Sequence, residues 1–342
     1  MPLVQFGYCV PIFAQPGLAF FRTPSYPALD TATTMRLART AEALGFDALW
    51  VADHLMLGKD QAILEGWTTL AALAGATTRA RLGLIHQAHP FRAPSLAAKM
   101  VATLDQISGG RFIYFLDCGN RREEYIAYGL PWDDDQDARI ARMVEGLELT
   151  LALWAADRPI DFIGRHYQLR GAVCLPPPLQ QPHPPIWLGN AHPAMLRACA
   201  AYAQGWNTTP VSLAQLRERL ALLAEACRTA NRPYDAIEKS LEIQILIGAD
   251  HATIREQVRR IVALDSTGAA PDPALAAYLA AETDRLPAAI RETTIIGTPD
   301  EVRAQLEGYV AEGIAHFMLW FLDTPDDAAL RLFAERVLPR FR

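Results

Sequence analysis

The 342-residue sequence has little of what announces a specialised class of protein. Its five cysteines, Cys9, Cys118, Cys174, Cys199 and Cys227, lie far apart without any C-x-x-C, which removes a disulfide framework and a zinc knuckle and fits a reducing cytoplasm. No run of about 18 apolar residues occurs, so no membrane span is expected. No basic segment leading into an apolar stretch follows Met1, so no signal peptide is expected either. Neither G-x-G-x-x-G nor G-x-x-x-x-G-K-[ST] is present, and the dinucleotide-binding and P-loop folds lose their main support. Basic charge is scarce: 32 Lys+Arg against 38 Asp+Glu leave a formal net charge of -6, no field for collecting nucleic acid. What these absences leave is a soluble protein of a reducing cytoplasm.

What is present is apolar bulk in a regular order. With 51% hydrophobic residues the chain can bury the core of one large barrel. Short apolar runs at 4–10, 48–52, 82–86, 112–117, 185–189, 205–208, 241–247 and 316–321 read as strands. Between them, 31–44, 94–107, 138–154, 193–202, 213–230 and 300–312 are amphipathic and long enough for crossover helices. Eight strands alternating with helices predict an α/β fold, a (β/α)8 TIM barrel forming a single domain over 1–342. Thr298-Pro299-Asp300-Glu301 reads as a helix start, and Gly45, Gly205 and Gly313 as helix ends. Two insertions interrupt the repeat. Segment 161–185 has a strand-turn-strand look followed by many prolines, and 266–293 makes the connection before the last strand long enough to form a lid.

In such a barrel the chemistry collects at the carboxyl ends of the strands. The second strand delivers Asp53 and His54, a carboxylate and an imidazole able to move a proton near neutral pH. The third ends at Ile85 and His86, with His89 beyond. These histidines lack an H-E-x-x-H and partner carboxylates, so no metal site is assigned. The fourth strand gives Cys118 and Gly119, where glycine lets a ring or phosphate approach the backbone. No base accompanies Cys118 as a nucleophile. Arg121, Arg122, Glu123 and Glu124 read as a solvated helix start. The fifth strand runs into Gly189, Asn190, Ala191 and His192 and opens a helix at Pro193, which suggests an anion site on free backbone N–H groups.

Four segments in this order resemble a known family. They are Glu42 to His54 (EALGFDALWVADH), Trp67 to Ala74 with Arg81-Leu82-Gly83, Phe91-Arg92 through Ala98 to Arg111, and Ile296 to Glu301 (IGTPDE). Together they resemble the bacterial luciferase-like monooxygenase superfamily, flavin barrels that bind FMN or the deazaflavin F420. The resemblance implies His54 as the catalytic histidine beside the ring and Asp53 as its support. It also implies a non-proline cis peptide after Ile85, with Ile85 and His86 behind the ring, and cofactor contacts at Cys118 and Gly119. Gly189, Asn190, Ala191 and His192 would take the cofactor's phosphate end. The leading expectation is a monooxygenase using reduced FMN, supplied by a partner flavin reductase, and O2 on a small organic substrate. The alternative is an F420-dependent oxidoreductase that transfers hydride without oxygen, and a further one is a barrel that binds flavin without catalysis. Relatives also imply a homodimer through helices beside the second and third strands.

Overall fold

A computed structural model describes residues 3–17, 24–265 and 270–342. Its strands are β1 (Gln5–Cys9), β2 (Ala48–Ala52), β3 (Arg81–Ile85), β4 (Gln87–Ala88), β5 (Phe112–Asp117), β6 (Ile160–Ile163), β7 (Gln168–Ala172), β8 (Ile186–Gly189), β9 (Gly205–Thr208), β10 (Glu238–Ile247), β11 (Thr294–Gly297) and β12 (His316–Phe321). Strands β1, β2, β3, β5, β8, β9, β10 and β12 pair in parallel in that order, and β12 returns to β1. The sheet is thus a closed eight-stranded (β/α)8 barrel, and its eight strands coincide with the eight apolar runs of the sequence. The larger helices around it are α1 (Thr31–Ala43), α2 (Gly66–Ala76), α3 (Pro94–Ser108), α5 (Gln136–Ala155), α6 (Pro193–Tyr202), α7 (Leu213–Thr229), α8 (His251–Ala263), α11 (Pro299–Ala311) and α12 (Ala328–Arg336). Three short ones, α4 (Arg122–Ala127), α9 (Pro273–Leu279) and α10 (Ala288–Arg291), sit in connections.

The barrel interior is filled by indoles. Trp50 from β2 and Trp187 from β8 are fully buried, with ring centroids 5.3 Å apart. Facing strands must yield to them: a Cβ on Gly83 would stand 2.2 Å from Trp50, and one on Gly205 2.3 Å from Trp187. Gly205 therefore does not end a helix, as its position in the sequence suggests; it opens β9 and makes room for an indole. Gly45 and Gly313 do follow helices in the left-handed conformation, and Thr298 starts α11 as expected, forming a capping box with Glu301. Below the indoles, Trp50 Nε1 donates to the buried His316 (3.1 Å), which closes the amino end with Gln5 and Glu238. The upper, carboxyl end is left for polar side chains.

The two insertions differ. Segment 161–185 holds the antiparallel hairpin β6–β7 that its sequence suggests. Of 266–293, the first four residues lie outside the described part. The rest carries α9 and α10, which share a satellite core with α8 made of Ile254, Val258, Leu275, Tyr278 and Ile290. The chain then forms β11, a strand the sequence reading missed. It pairs with the upper half of the ten-residue β10, above the point where β9 leaves it. No helix among the described residues is long and apolar enough to cross a membrane.

Candidate active site

Asp53 and His54 leave β2 in opposite directions. Asp53 is buried and held by both arms of Arg92, whose Nη1 and Nη2 donate at 2.8 and 3.0 Å, and by the backbone N–H of Ala88 at 3.0 Å. Arg92 also donates to Glu65 (2.7 Å). Burial pushes the Asp53 carboxyl up, and the guanidinium pulls it back. This fork ties the β2 loop to the segment after β3, so it shapes the mouth of the barrel.

His54 turns the other way, to Glu124 on α4. Its Nδ1 lies 3.0 Å from Oε1 of that carboxylate, which is fully buried and also accepts from the backbone N–H of Leu55 (3.1 Å) and pairs with Arg121 Nε (2.9 Å). The sequence reading is corrected here: Arg122 and Glu123 are solvated, but Glu124 is the orienting carboxylate of the histidine. With Nδ1 engaged by a carboxylate, the second ring nitrogen of His54 is left to exchange a proton with a ligand.

His86 follows a cis peptide bond at Ile85, as the resemblance implied. Its ring stands edge-on to Phe115, centroids 4.6 Å apart, and its Nε2 lies 3.7 Å from Glu242 on β10. Trp320 donates to the other oxygen of Glu242 at 2.8 Å. His89 takes no part in this cluster. It is buried against Tyr167 (2.8 Å), and burial lowers it to about 3.

Cys118 is buried, and burial and Asp117 push its thiol up to about 12, so no thiolate is available for nucleophilic work. Gly119 adopts a left-handed conformation (φ +87°) under the Tyr125 hydroxyl, where a Cβ would lie only 2.2 Å away. Gly189, Asn190, Ala191 and His192 line a cavity of about 570 Å³ together with His86, Asp117, Cys118, Gly119, Gln136, Arg139 and Asn207. That volume is within the range of small-molecule sites.

The anion site is built differently from its expected form. Pro193 has no N–H, the N–H of Ala194 is taken by His192 Nδ1 (3.3 Å), and that of His192 by Asn190 Oδ1 (2.9 Å). Positive charge comes instead from Arg139 on α5, packed 4.2 Å above the Trp132 ring, with a buried Nε that no protein group accepts. Gln136 and Arg139 escaped the sequence reading because they face the cavity from a helix that reads as ordinary amphipathic structure. Asn207 is likewise buried with its Oδ1 unpartnered, while its Nδ2 donates to Ser240. A roomy cavity with a guanidinium at one end whose Nε is unpartnered while Nη1 donates to Asp133 O, an unpartnered amide oxygen in the wall and an imidazole in the adjoining recess fits a flavin-type ring and its phosphate.

A closed α/β barrel with one carboxylate-oriented imidazole beside such a cavity defines a class, the cofactor-dependent barrel oxidoreductases. A family model described as luciferase-like monooxygenase matches residues 4–316, and the chain belongs to that family. It is 29% identical over 314 residues to the F420-dependent glucose-6-phosphate dehydrogenase of Microbacterium testaceum, covering 88% of this chain and 91% of the relative. Among solved structures it resembles a monooxygenase from Streptomyces bottropensis (25% identity, TM-score 0.74, 99% of this chain and 100% of that one). It also resembles an F420-dependent secondary alcohol dehydrogenase (21% identity, TM-score 0.77, 99% of each chain), a likeness that speaks for the fold. The chain is an oxidoreductase acting on a small molecule.

Proposed function

We propose that the protein, working as one barrel domain over 1–342, is an F420-dependent oxidoreductase that moves a hydride between the deazaflavin and a substrate carbon. This reverses the order of the two expectations drawn from the sequence. The observation that carries it is the His54–Glu124 pair, a single proton relay beside the cavity, which is what hydride transfer at a carbon bearing oxygen requires. Four curated relatives named as F420-dependent enzymes, matched over about nine-tenths of both chains, favour the deazaflavin.

When bound, F420 supplies the hydride acceptor or donor and consumes no oxygen. Arg139, Gln136 and the loop Gly189, Asn190, Ala191 and His192 would hold its phosphate end, and Ile85, His86, Cys118 and Gly119 would contact the ring. Asp53 does not touch the reacting atoms; with Arg92 it positions the strand tip from which His54 projects. His54 exchanges the proton of the substrate oxygen, and Glu124 holds the ring in one orientation and stabilises its protonated form.

The second reading keeps the same cavity for reduced FMN from a partner reductase, with O2 as the oxidant; the family's description as monooxygenases favours it. Titration with F420, FMN and reduced FMN, followed by turnover with and without air, tests the choice. F420 binding with oxygen-independent turnover is expected; turnover only with reduced FMN and oxygen would overturn the proposal. The homodimer implied by resemblance would cover Leu96 and Ile107, apolar side chains that α3 leaves exposed.

A further inference from the structure

We propose a second ligand site, outside the cofactor cavity, that takes a primary ammonium group carried on an apolar body. It does not depend on which cofactor the barrel holds. Between α8 and the chain that follows β12 lies a cavity of about 580 Å³. It shares no lining residue with the recess at His54 or with the cavity at Gly189 and His192. Three polar atoms on its lining residues are cut off from water and have no partner among the described residues: Ser25 Oγ, Gln257 Oε1 and Asp323 Oδ1. Buried polar groups are nearly always satisfied, so three orphans around one cavity call for an occupant that donates to them.

The bonds these residues already make decide what that occupant offers. Asp323 Oδ2 accepts from the backbone N–H of Ala329 in α12 (2.9 Å), and Gln257 Nε2 donates to the backbone oxygen of Ile247 (3.4 Å). What is left free on the two side chains is an acceptor in each case. The hydroxyl of Ser25, a residue only 4% exposed, can accept as well. An ammonium carries three N–H donors and no acceptor, one donor for each orphan.

Charge points the same way. Arg260, the one cation among the described lining residues, is exposed and lies 3.7 Å from Glu256. Burial, with Asp326 and Asp327 adding like charge, holds the proton on Asp323 up to about 7. An ammonium beside the carboxylate would take over from that proton as the neutralising charge. Ile261, Leu264 and Leu322 supply apolar wall for the rest of the ligand.

Calorimetry of the full-length protein at about pH 8, where most of the carboxyl is ionised, tests the site with probes that share one ring: benzylamine, benzyltrimethylammonium, benzyl alcohol and benzoate. Benzyltrimethylammonium keeps the charge without donors, the alcohol keeps one donor without charge, and benzoate reverses the sign. Saturable binding of benzylamine is expected, with each of the other probes weaker by roughly 10-fold or more. Asp323→Asn, checked by a melting curve, should weaken benzylamine by about 10-fold or more. Gln257→Leu removes one acceptor at similar size and should weaken it by roughly fivefold, which keeps the test decisive if the first variant folds poorly. No saturable binding of benzylamine, equal affinity for any other probe, or undiminished binding in either folded variant would each rule the site out.

Discussion

Replacing Glu124 by glutamine isolates the proposed relay. The side chain keeps its length and one carbonyl oxygen, but three groups now converge on it: His54 Nδ1 at 3.0 Å, Leu55 N at 3.1 Å and Arg121 Nε at 2.9 Å. An amide offers a single acceptor and no charge, so His54 loses either its orientation or the anion that stabilises its protonated form. A hydrogen bond to a charged group is worth about 1.5–3 kcal/mol net, and about 1.4 kcal/mol is tenfold in rate, so kcat should fall by roughly 10- to 100-fold. Cofactor affinity should hold, because Glu124 is not among the residues around Gly189 and His192. Steady-state turnover, fluorescence titration of F420 and a melting curve separate these effects. A well-folded variant whose kcat stays within about twofold of the parent would refute the relay, since no charge-assisted contact could then be contributing.

Other perturbations follow from buried groups. Burial pushes Asp323 up to about 7, against about 3.9 in an unfolded chain, so the folded state holds the proton more tightly. Its contribution is complete below about pH 4 and is lost as pH rises to about 7; Asp323→Asn should raise the melting temperature at pH 8 and leave it unchanged near pH 4, and an equal shift at both would refute this. Arg92→Ala leaves Asp53 charged and unpaired in the interior, so chemical denaturation should show a loss of about 3–5 kcal/mol, part of it restored in the double variant with Asp53→Ala. With its thiol at about 12, Cys118 should resist iodoacetamide in the native protein at neutral pH; rapid inactivating alkylation at Cys118 would contradict the burial.

The parts of the fold legible in the sequence are those written in local periodicity. Eight apolar runs gave eight barrel strands because a parallel strand covered on both faces is continuously apolar. The start of α11 at Thr298 was readable because its cap, proline and first-turn acids lie within one turn. Strand β11 was not, because four residues after a helical insertion carry too little pattern, and its partner is the upper half of a strand some fifty residues earlier. Gly205 was misread for a related reason: a glycine after a helix looks like a cap, and the indole that requires it sits on another strand. Glu124 followed the same rule. On α4 it is one of a run of charges, and only the 70-residue closure of the barrel brings it beneath His54.

That closure also explains why Asp53 and His54, adjacent and both polar, divide the labour. Successive residues leaving a strand point to opposite sides, so one of the two must face the wall and the other the mouth. Asp53 faces the wall, where Arg92 neutralises it. There it can neither take nor give a proton in a reaction without losing its guanidinium, and its worth lies in fixing where β2 ends. His54 faces the mouth, 23% of its side chain exposed, and its carboxylate partner comes from the next-but-one barrel strand's connection. If the order were reversed, a histidine would be buried against an arginine and held neutral, as His89 is beside Arg142, and the mouth would present a carboxylate with no imidazole to relay its charge. The Asp-before-His order at the tip of β2 is therefore the arrangement that yields both a rigid strand end and the proposed proton relay.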